Sequence, residues 1–121
     1  MFLNISNHPS TKWVPRQLAA AQVLGTTVQD VPFPNVPPFA TTEEVAELAK
    51  ALVAGLRQPI AGASDHAMVQ GEASLCWELS RRLIALGWHV CVATTERTVV
   101  EGEGGQKTAT FQFCQFRLLR N

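Results

Sequence analysis

The stretch Trp88-His89-Val90-Cys91-Val92-Ala93-Thr94-Thr95 decides the fold. Its alternating sets are apolar on both sides, with Trp88, Val90 and Val92 on one and Cys91 and Ala93 on the other. A strand with two apolar faces needs cover on both. Helices on either side of a mainly parallel sheet supply that cover, so the segment predicts a central strand of an α/β domain. Immediately upstream, Leu75, Cys76, Leu79, Leu83 and Leu86 recur on one side of a helix that Gly87 ends. That helix follows a strand at His66-Ala67-Met68-Val69-Gln70, with Gly71-Glu72 as the turn between them.

Further towards the amino terminus the pattern repeats. Thr41 with Glu44 forms a capping-box signature, and Val45, Leu48, Ala49, Leu52, Val53 and Leu56 follow at helical spacing. The preceding run from Val31 to Phe39 holds four of the seven prolines, which excludes regular structure and predicts a stiff connector inside the domain. A strand is predicted at about Thr27 to Val31. A helix precedes it, with Pro15 at its first position, Gln17 to Leu24 as its body and Gly25 just past its end. Phe2 to Ser6 reads as the first strand, closed by the turn-rich Asn7-His8-Pro9-Ser10.

On the carboxyl side, Arg97 to Glu101, the turn Gly102-Glu103-Gly104-Gly105 and Lys107 to Arg117 read as a hairpin. Ala109, Phe111 and Phe113 share one parity while Cys114 and Phe116 share the other. This predicts a bulge near Phe113 or an edge strand packed on both faces. Together the elements describe one three-layer, Rossmann-like α/β domain over residues 1–121, mostly parallel with strand order 2-1-3-4, finished by a C-terminal antiparallel β-hairpin. Sheets of this kind bind ligands beyond the carboxyl ends of their strands, where the winding reverses. The rule selects the loops after the first and third strands.

Composition narrows the function classes. Ten basic residues balance ten acidic ones, so no long run of phosphate contacts along DNA or RNA is expected, although a small anion needs only a few local donors. The amino terminus lacks a basic segment followed by an apolar run and no stretch is long enough to cross a bilayer, which places the chain in the cytoplasm with no membrane partner. Cys76, Cys91 and Cys114 are odd in number and far apart, and are expected to be buried free thiols. His8, His66 and His89 are dispersed and form no ligand-spaced pair, so no metal and no cofactor is expected. His89 reads as a satisfied structural histidine and His66 as the start of a strand.

Two loops concentrate chemistry. Asn7, His8, Ser10, Thr11 and Lys12 precede a helix amino terminus, where free N–H groups attract anions and Lys12 adds a mobile charge. The plainer alternative is an ordinary loop in which Asn7 and Ser10 cap turns. In the second loop Gly71 permits close backbone approach, Gln70 is able to read a base or ribose and Ser74 to contact phosphate. The plainer alternative there is that Glu72 or Ser74 caps the next helix. Only one glycine is present, which excludes a dinucleotide fingerprint. Thr94, Thr95 and Arg97 mark the polar end of the fourth strand, Arg97 either clamping phosphate or pairing with Glu96 or Glu101.

The succession Met68-Val69-Gln70-Gly71-Glu72, then Val92-Ala93-Thr94-Thr95-Glu96-Arg97, then Phe111-Gln112-Phe113 to Phe116-Arg117 resembles the small ring-nuclease-type branch of the CRISPR-associated Rossmann-fold (CARF-like) proteins. The resemblance covers the second half of the chain and, more weakly, Asn7-His8-Pro9-Ser10. The ending Leu118-Leu119-Arg120-Asn121 and the helix start Val14-Pro15 depart from that pattern. The resemblance implies a homodimer that binds a cyclic oligoadenylate, cyclic tetra-adenylate in the first instance, across its two-fold axis. It further implies metal-independent cleavage by attack of a ribose 2′-hydroxyl on the neighbouring phosphate, damping type III CRISPR antiviral signalling. Lys12 and amides near Gly71 would stabilise phosphate, while Ser10, Thr11 and Ser74 would position the ligand. Gln70 and Thr95 would recognise it, and His8 would transfer a proton. Two other functions fit the same residues: a sensor or sequestering protein that binds without cutting, and an interaction domain whose Phe111, Phe113 and Phe116 dock a protein.

Overall fold

The computed structural model describes residues 1–120 of the 121-residue chain. Its elements run β1 (Phe2–Ser6), α1 (Pro15–Leu24), β2 (Val28–Pro32), α2 (Thr42–Ala54), β3 (His66–Val69), α3 (Ala73–Leu86), β4 (His89–Glu101) and β5 (Lys107–Leu118). The strands form one five-stranded sheet in the order β2-β1-β3-β4-β5. The first four strands pair in parallel, and β5 runs antiparallel to β4. This is an α/β fold with a mixed sheet, and its strand order is consistent with a Rossmann-like layout.

Each face of the sheet carries its own core. On one side Leu3, Ile5, Ala67, Val69 and Val90 pack with Val45, Ala49 and Val53 of α2 and with Leu75, Leu79 and Leu83 of α3. On the other, Phe2, Met68 and Cys91 pack with Ala21 of α1 and with Trp13. Burial of side chains such as Phe2, Leu3 and Ile5, all 2% exposed or less, is worth about 1.5–3 kcal/mol each. The two-faced reading of the fourth strand therefore holds, Val90 facing one core and Cys91 the other. Trp88 lies just before the strand, its N–H donating to the Leu83 carbonyl at 3.0 Å. β4 is interior, between β3 and β5, while β3 occupies the middle of the sheet.

Local signals act as the sequence predicts at several ends. Thr41 Oγ1 accepts from the Glu44 N–H at 3.1 Å and Glu44 Oε1 accepts from the Thr41 N–H at 3.2 Å, completing the capping box. Gly87 ends α3 at φ +104°, a conformation that a side chain would strain. Pro32 departs from the expectation that the proline run holds no regular structure: it ends β2 on the sheet edge opposite Ser6, where its missing donor costs no ladder bond. The proline-rich connector packs on the α2–α3 core through Phe33, Val36 and Ala40, while Phe39 is exposed.

Two further expectations need correction. Thr94 pairs with Gln115 and Thr95 with Phe113, so Cys114 is the extra residue of a β-bulge. The bulge brings Phe113 and Phe116 to one face, with ring centroids 4.9 Å apart, and leaves Cys114 exposed rather than buried. Cys91 is buried and Cys76 half-buried. His89 is exposed, not enclosed, because β5 pairs with β4 only from Cys91 onward and leaves His89 without a strand on that side; its ring centroid lies 5.0 Å from that of His66.

Asp65 fastens the end of the sheet where the parallel strands begin. Its carboxylate accepts from the amino-terminal ammonium at 3.1 Å, from Arg57 Nη2 at 2.6 Å and from the Ile60 N–H at 2.8 Å. The Arg57 guanidinium also sits 5.5 Å from the centre of the Trp88 ring. Among the described residues no helix is long and apolar enough to cross a membrane.

Candidate functional site

At the opposite end of the strands, the loops after β1 and β3 open into a shared cleft of about 530 Å³, within the usual size range of small-molecule sites. A buried polar network shapes the first loop. Asn4, 1% exposed, sits in the middle of β1, where its amide must find partners. Its Nδ2 donates to the His8 carbonyl and to Asp30 Oδ1, both at 2.9 Å. Its Oδ1 accepts from Ser6 Oγ at 2.6 Å. The same Ser6 oxygen accepts from the His8 N–H at 3.1 Å. Asp30 in turn accepts from the Ser10 N–H at 3.1 and 3.2 Å. Partial burial raises the Asp30 carboxyl, but these hydrogen bonds outweigh it and hold the group below its ordinary value. The network curls residues 7–12 over the edge of the sheet and presents Asn7, His8 and Lys12 to the cleft.

The second loop contributes Gln70 and Gly71. Gln70 Oε1 accepts from the Ala93 N–H at 3.2 Å, tying the end of β3 to β4. Gly71 is glycine for a packing reason, since a Cβ there would lie 2.5–2.6 Å from the buried Phe33 ring. Its close approach is to this ring. The remaining wall is aromatic: Trp13 from the first loop, and Phe111 and Phe113 from β5, with Thr95 of β4 beside them.

The predicted site residues thus divide. Asn7, His8, Lys12, Gln70, Gly71 and Thr95 line one cleft. Ser10 lies beside it, its N–H turned to Asp30, and Thr11 is exposed outside the lining. Glu72 and Ser74 serve the start of α3, the Glu72 carboxylate accepting from the Ser74 N–H at 3.1 Å, from Ser74 Oγ at 2.6 Å and from the Leu75 N–H at 2.9 Å. Those bonds hold the Glu72 carboxyl below its ordinary value and occupy the donors that would otherwise face an anion. Thr94 Oγ1 donates to the Gln115 carbonyl at 3.2 Å. Arg97 lies out on the exposed hairpin opposite Phe111 and forms no ion pair among the described residues; the hairpin's pair is Lys107 with Glu101 at 4.0 Å.

Asn4, Ser6, Asp30 and Trp13 are the contributors that sequence reasoning missed. An amide inside an otherwise apolar strand, two residues before the turn, was the available signal for Asn4. Asp30 gave only a weak sign, as a carboxylate near the end of an edge strand. Lys12 and His8 line the cleft and no Asp or Glu does, while the Asp30 and Glu72 carboxylates stand just outside the lining. A second cavity, along α2, has the opposite character, with Glu43, Glu44 and Glu47 in its lining. No group of three or more His, Cys, Asp or Glu side chains among the described residues is placed to hold a metal ion.

One protein-family model matches residues 1–117, under the description Uncharacterized protein MJ1673 family. No curated protein and no solved structure matches the chain.

Proposed function

We propose, for this chain, which belongs to the MJ1673 family over residues 1–117, that the cleft binds a cyclic oligoadenylate and cleaves it without a metal. The observation that carries the reading is the cleft itself: two loops remote in sequence meet at the reversal point of the sheet and bring Lys12 and His8 of one together with Gln70 and Gly71 of the other, with no carboxylate in the lining. The segments that resemble the CARF-like ring nucleases supply its other walls, through Gln70 and Gly71, Ala93 and Thr95, and Phe111 and Phe113. A homodimer would place two such clefts about one axis, matching the symmetry of cyclic tetra-adenylate.

In the cleavage step the ribose 2′-oxygen bonds to the adjacent phosphorus as the bond from phosphorus to the 5′-oxygen breaks. The 2′-hydroxyl proton leaves to a base and the departing 5′-oxygen gains a proton, giving a linear product ending in a 2′,3′-cyclic phosphate. His8 is the cleft's proton-transfer group. Lys12 stabilises the charge that develops on the phosphoryl oxygens. Asn4, Ser6 and Asp30 are positioning residues for the loop that carries both.

Binding without cleavage is the second reading, and one observation favours it. Glu72 occupies the donors of the α3 terminus and Asp30 the Ser10 amide, which narrows charge stabilisation in the cleft to few groups. Incubation with cyclic tetra-adenylate in EDTA separates the readings. Linear products that disappear in Lys12→Ala support the nuclease, and a calorimetric binding signal without products supports sequestration. No binding, together with no rise in melting temperature at ligand concentrations where a 100-fold excess over Kd would add about 2.7 kcal/mol, overturns both.

A further inference from the structure

We infer that Phe111 and Gln70 form a nucleobase subsite in the cleft, Phe111 offering a ring face for stacking and Gln70 a donor for a purine ring nitrogen. The inference rests on the cleft being a nucleotide site and adds the part of the nucleotide that Lys12 and His8 do not address.

The aromatic residues on the α1 side of the sheet form a row. Phe2 packs on Phe116 with centroids 4.9 Å apart, Trp13 on Phe116 at 6.2 Å and Phe113 on Phe116 at 4.9 Å. Phe111 shares the parity of Phe113 on β5 and continues the row into the cleft, yet it is 65% exposed and stacks on no other ring among the described residues. A large aromatic side chain left open in the wall of a cleft that also holds an ammonium group and an imidazole suits a planar heterocycle attached to an anion.

One polar group supports the assignment. The Ala93 N–H, being a donor, fixes the Gln70 oxygen towards the sheet, so the free end of the amide is its NH₂ group. Gln70 therefore presents donors, which match the ring-nitrogen acceptors of a purine. Trp13, 7% exposed and part of the same wall, carries a buried Nε1–H with no partner among the described residues. Buried donors of this kind are rare in folded proteins.

The test is calorimetric titration of wild type, Phe111→Ala, Phe111→Trp and Gln70→Glu with cyclic tetra-adenylate, and of wild type with adenosine monophosphate and ribose 5-phosphate. Stacking predicts a loss of roughly tenfold to a hundredfold in affinity for Phe111→Ala and a change within about threefold for Phe111→Trp. Gln70→Glu keeps the acceptor for Ala93 but turns the presented donor into an acceptor, and is expected to weaken binding about tenfold or more. Adenosine monophosphate should bind wild type more tightly than ribose 5-phosphate does. Wild type that binds cyclic tetra-adenylate with Phe111→Ala binding equally well overturns the subsite and leaves the cleft's function standing. Equal affinity for the two monophosphates does the same. Wild type that binds no nucleotide overturns the function and the subsite together.

Discussion

Asp65→Asn tests the electrostatic account of the fold, and its effect should depend on pH. Burial alone would raise the Asp65 carboxyl, but the Ile60 N–H, the amino-terminal ammonium and Arg57 outweigh that effect and bring the group down from 3.8 to about 2. A carboxyl lowered by folding stabilises the native state above its unfolded value and loses that contribution as the pH falls through its folded value. At 1.36 kcal/mol per unit the difference amounts to about 2 kcal/mol, present at pH 7 and lost between about pH 4 and pH 2. The carboxylate is buried, but two of its partners, Arg57 and the amino terminus, are partly open to solvent, so screening makes this figure an upper bound.

The assay is urea unfolding of wild type and Asp65→Asn at pH 7, 5, 4, 3 and 2. At neutral pH the variant should be less stable by about 2 kcal/mol, or roughly 5–10 °C in melting temperature for a domain of this length. The gap should close as the wild-type carboxylate is protonated. Other lowered carboxyls, Asp30 and Glu72, titrate in both proteins and cancel in the difference. Unfolding free energies that fall in parallel from pH 7 to pH 2 would refute the assignment.

Three further outcomes follow from the site and its surroundings. Gly71→Ala drives a methyl group into Phe33 and should cost about 1–3 kcal/mol; pairing it with Phe33→Leu should recover part of the loss, and strictly additive melting temperatures would count against the contact. Asn4→Ala leaves the His8 carbonyl and the Ser6 hydroxyl short of partners and should cost about 2–3 kcal/mol in urea melts; a change under about 0.5 kcal/mol would show that the network is not holding the loop. In the folded protein Cys114 should react first with a thiol reagent, whereas Cys91, buried and with its pKa pushed up to about 12, should react only on unfolding; mass spectrometry of the labelled protein reads the order.

Much of the fold is legible because it depends on periodic patterns. Residues such as Val90 and Cys91, apolar on opposite faces, require helices on both sides, and the Thr41–Glu44 box fixes where α2 begins. The conflicting parities of Phe113 and Phe116 pointed to a bulge or to an edge strand packed on both faces, and the register shows the bulge. Identifying Cys114 as that residue requires the register itself, which parity does not specify to within one position. His89 was misplaced for a related reason. Its apolar neighbours suggest a satisfied structural histidine, but β5 pairs with β4 only from Cys91 onward, an extent that the neighbours do not specify.

The candidate site is legible only in part, because a loop residue's role depends on what its side chain meets across the fold. Glu72 and Lys12 both belong to loops at the favoured end of the sheet, yet Glu72 folds back to cap α3 while Lys12 faces the cleft. Asp30, twenty residues from Ser10 in sequence, meets that residue's N–H only after β2 pairs with β1. These two carboxylates belong to the loops that build the cleft without entering its lining. Both stand beside the site, both accept hydrogen bonds from the loops that build it, and neither lines it. Their hydrogen bonds organise backbone, yet each keeps its negative charge beside the cleft, so Lys12 is the lining cation that an anion meets against two nearby carboxylates. Net charge averages over this arrangement, which is why composition excludes a long polyanion track but leaves a single nucleotide-sized site open.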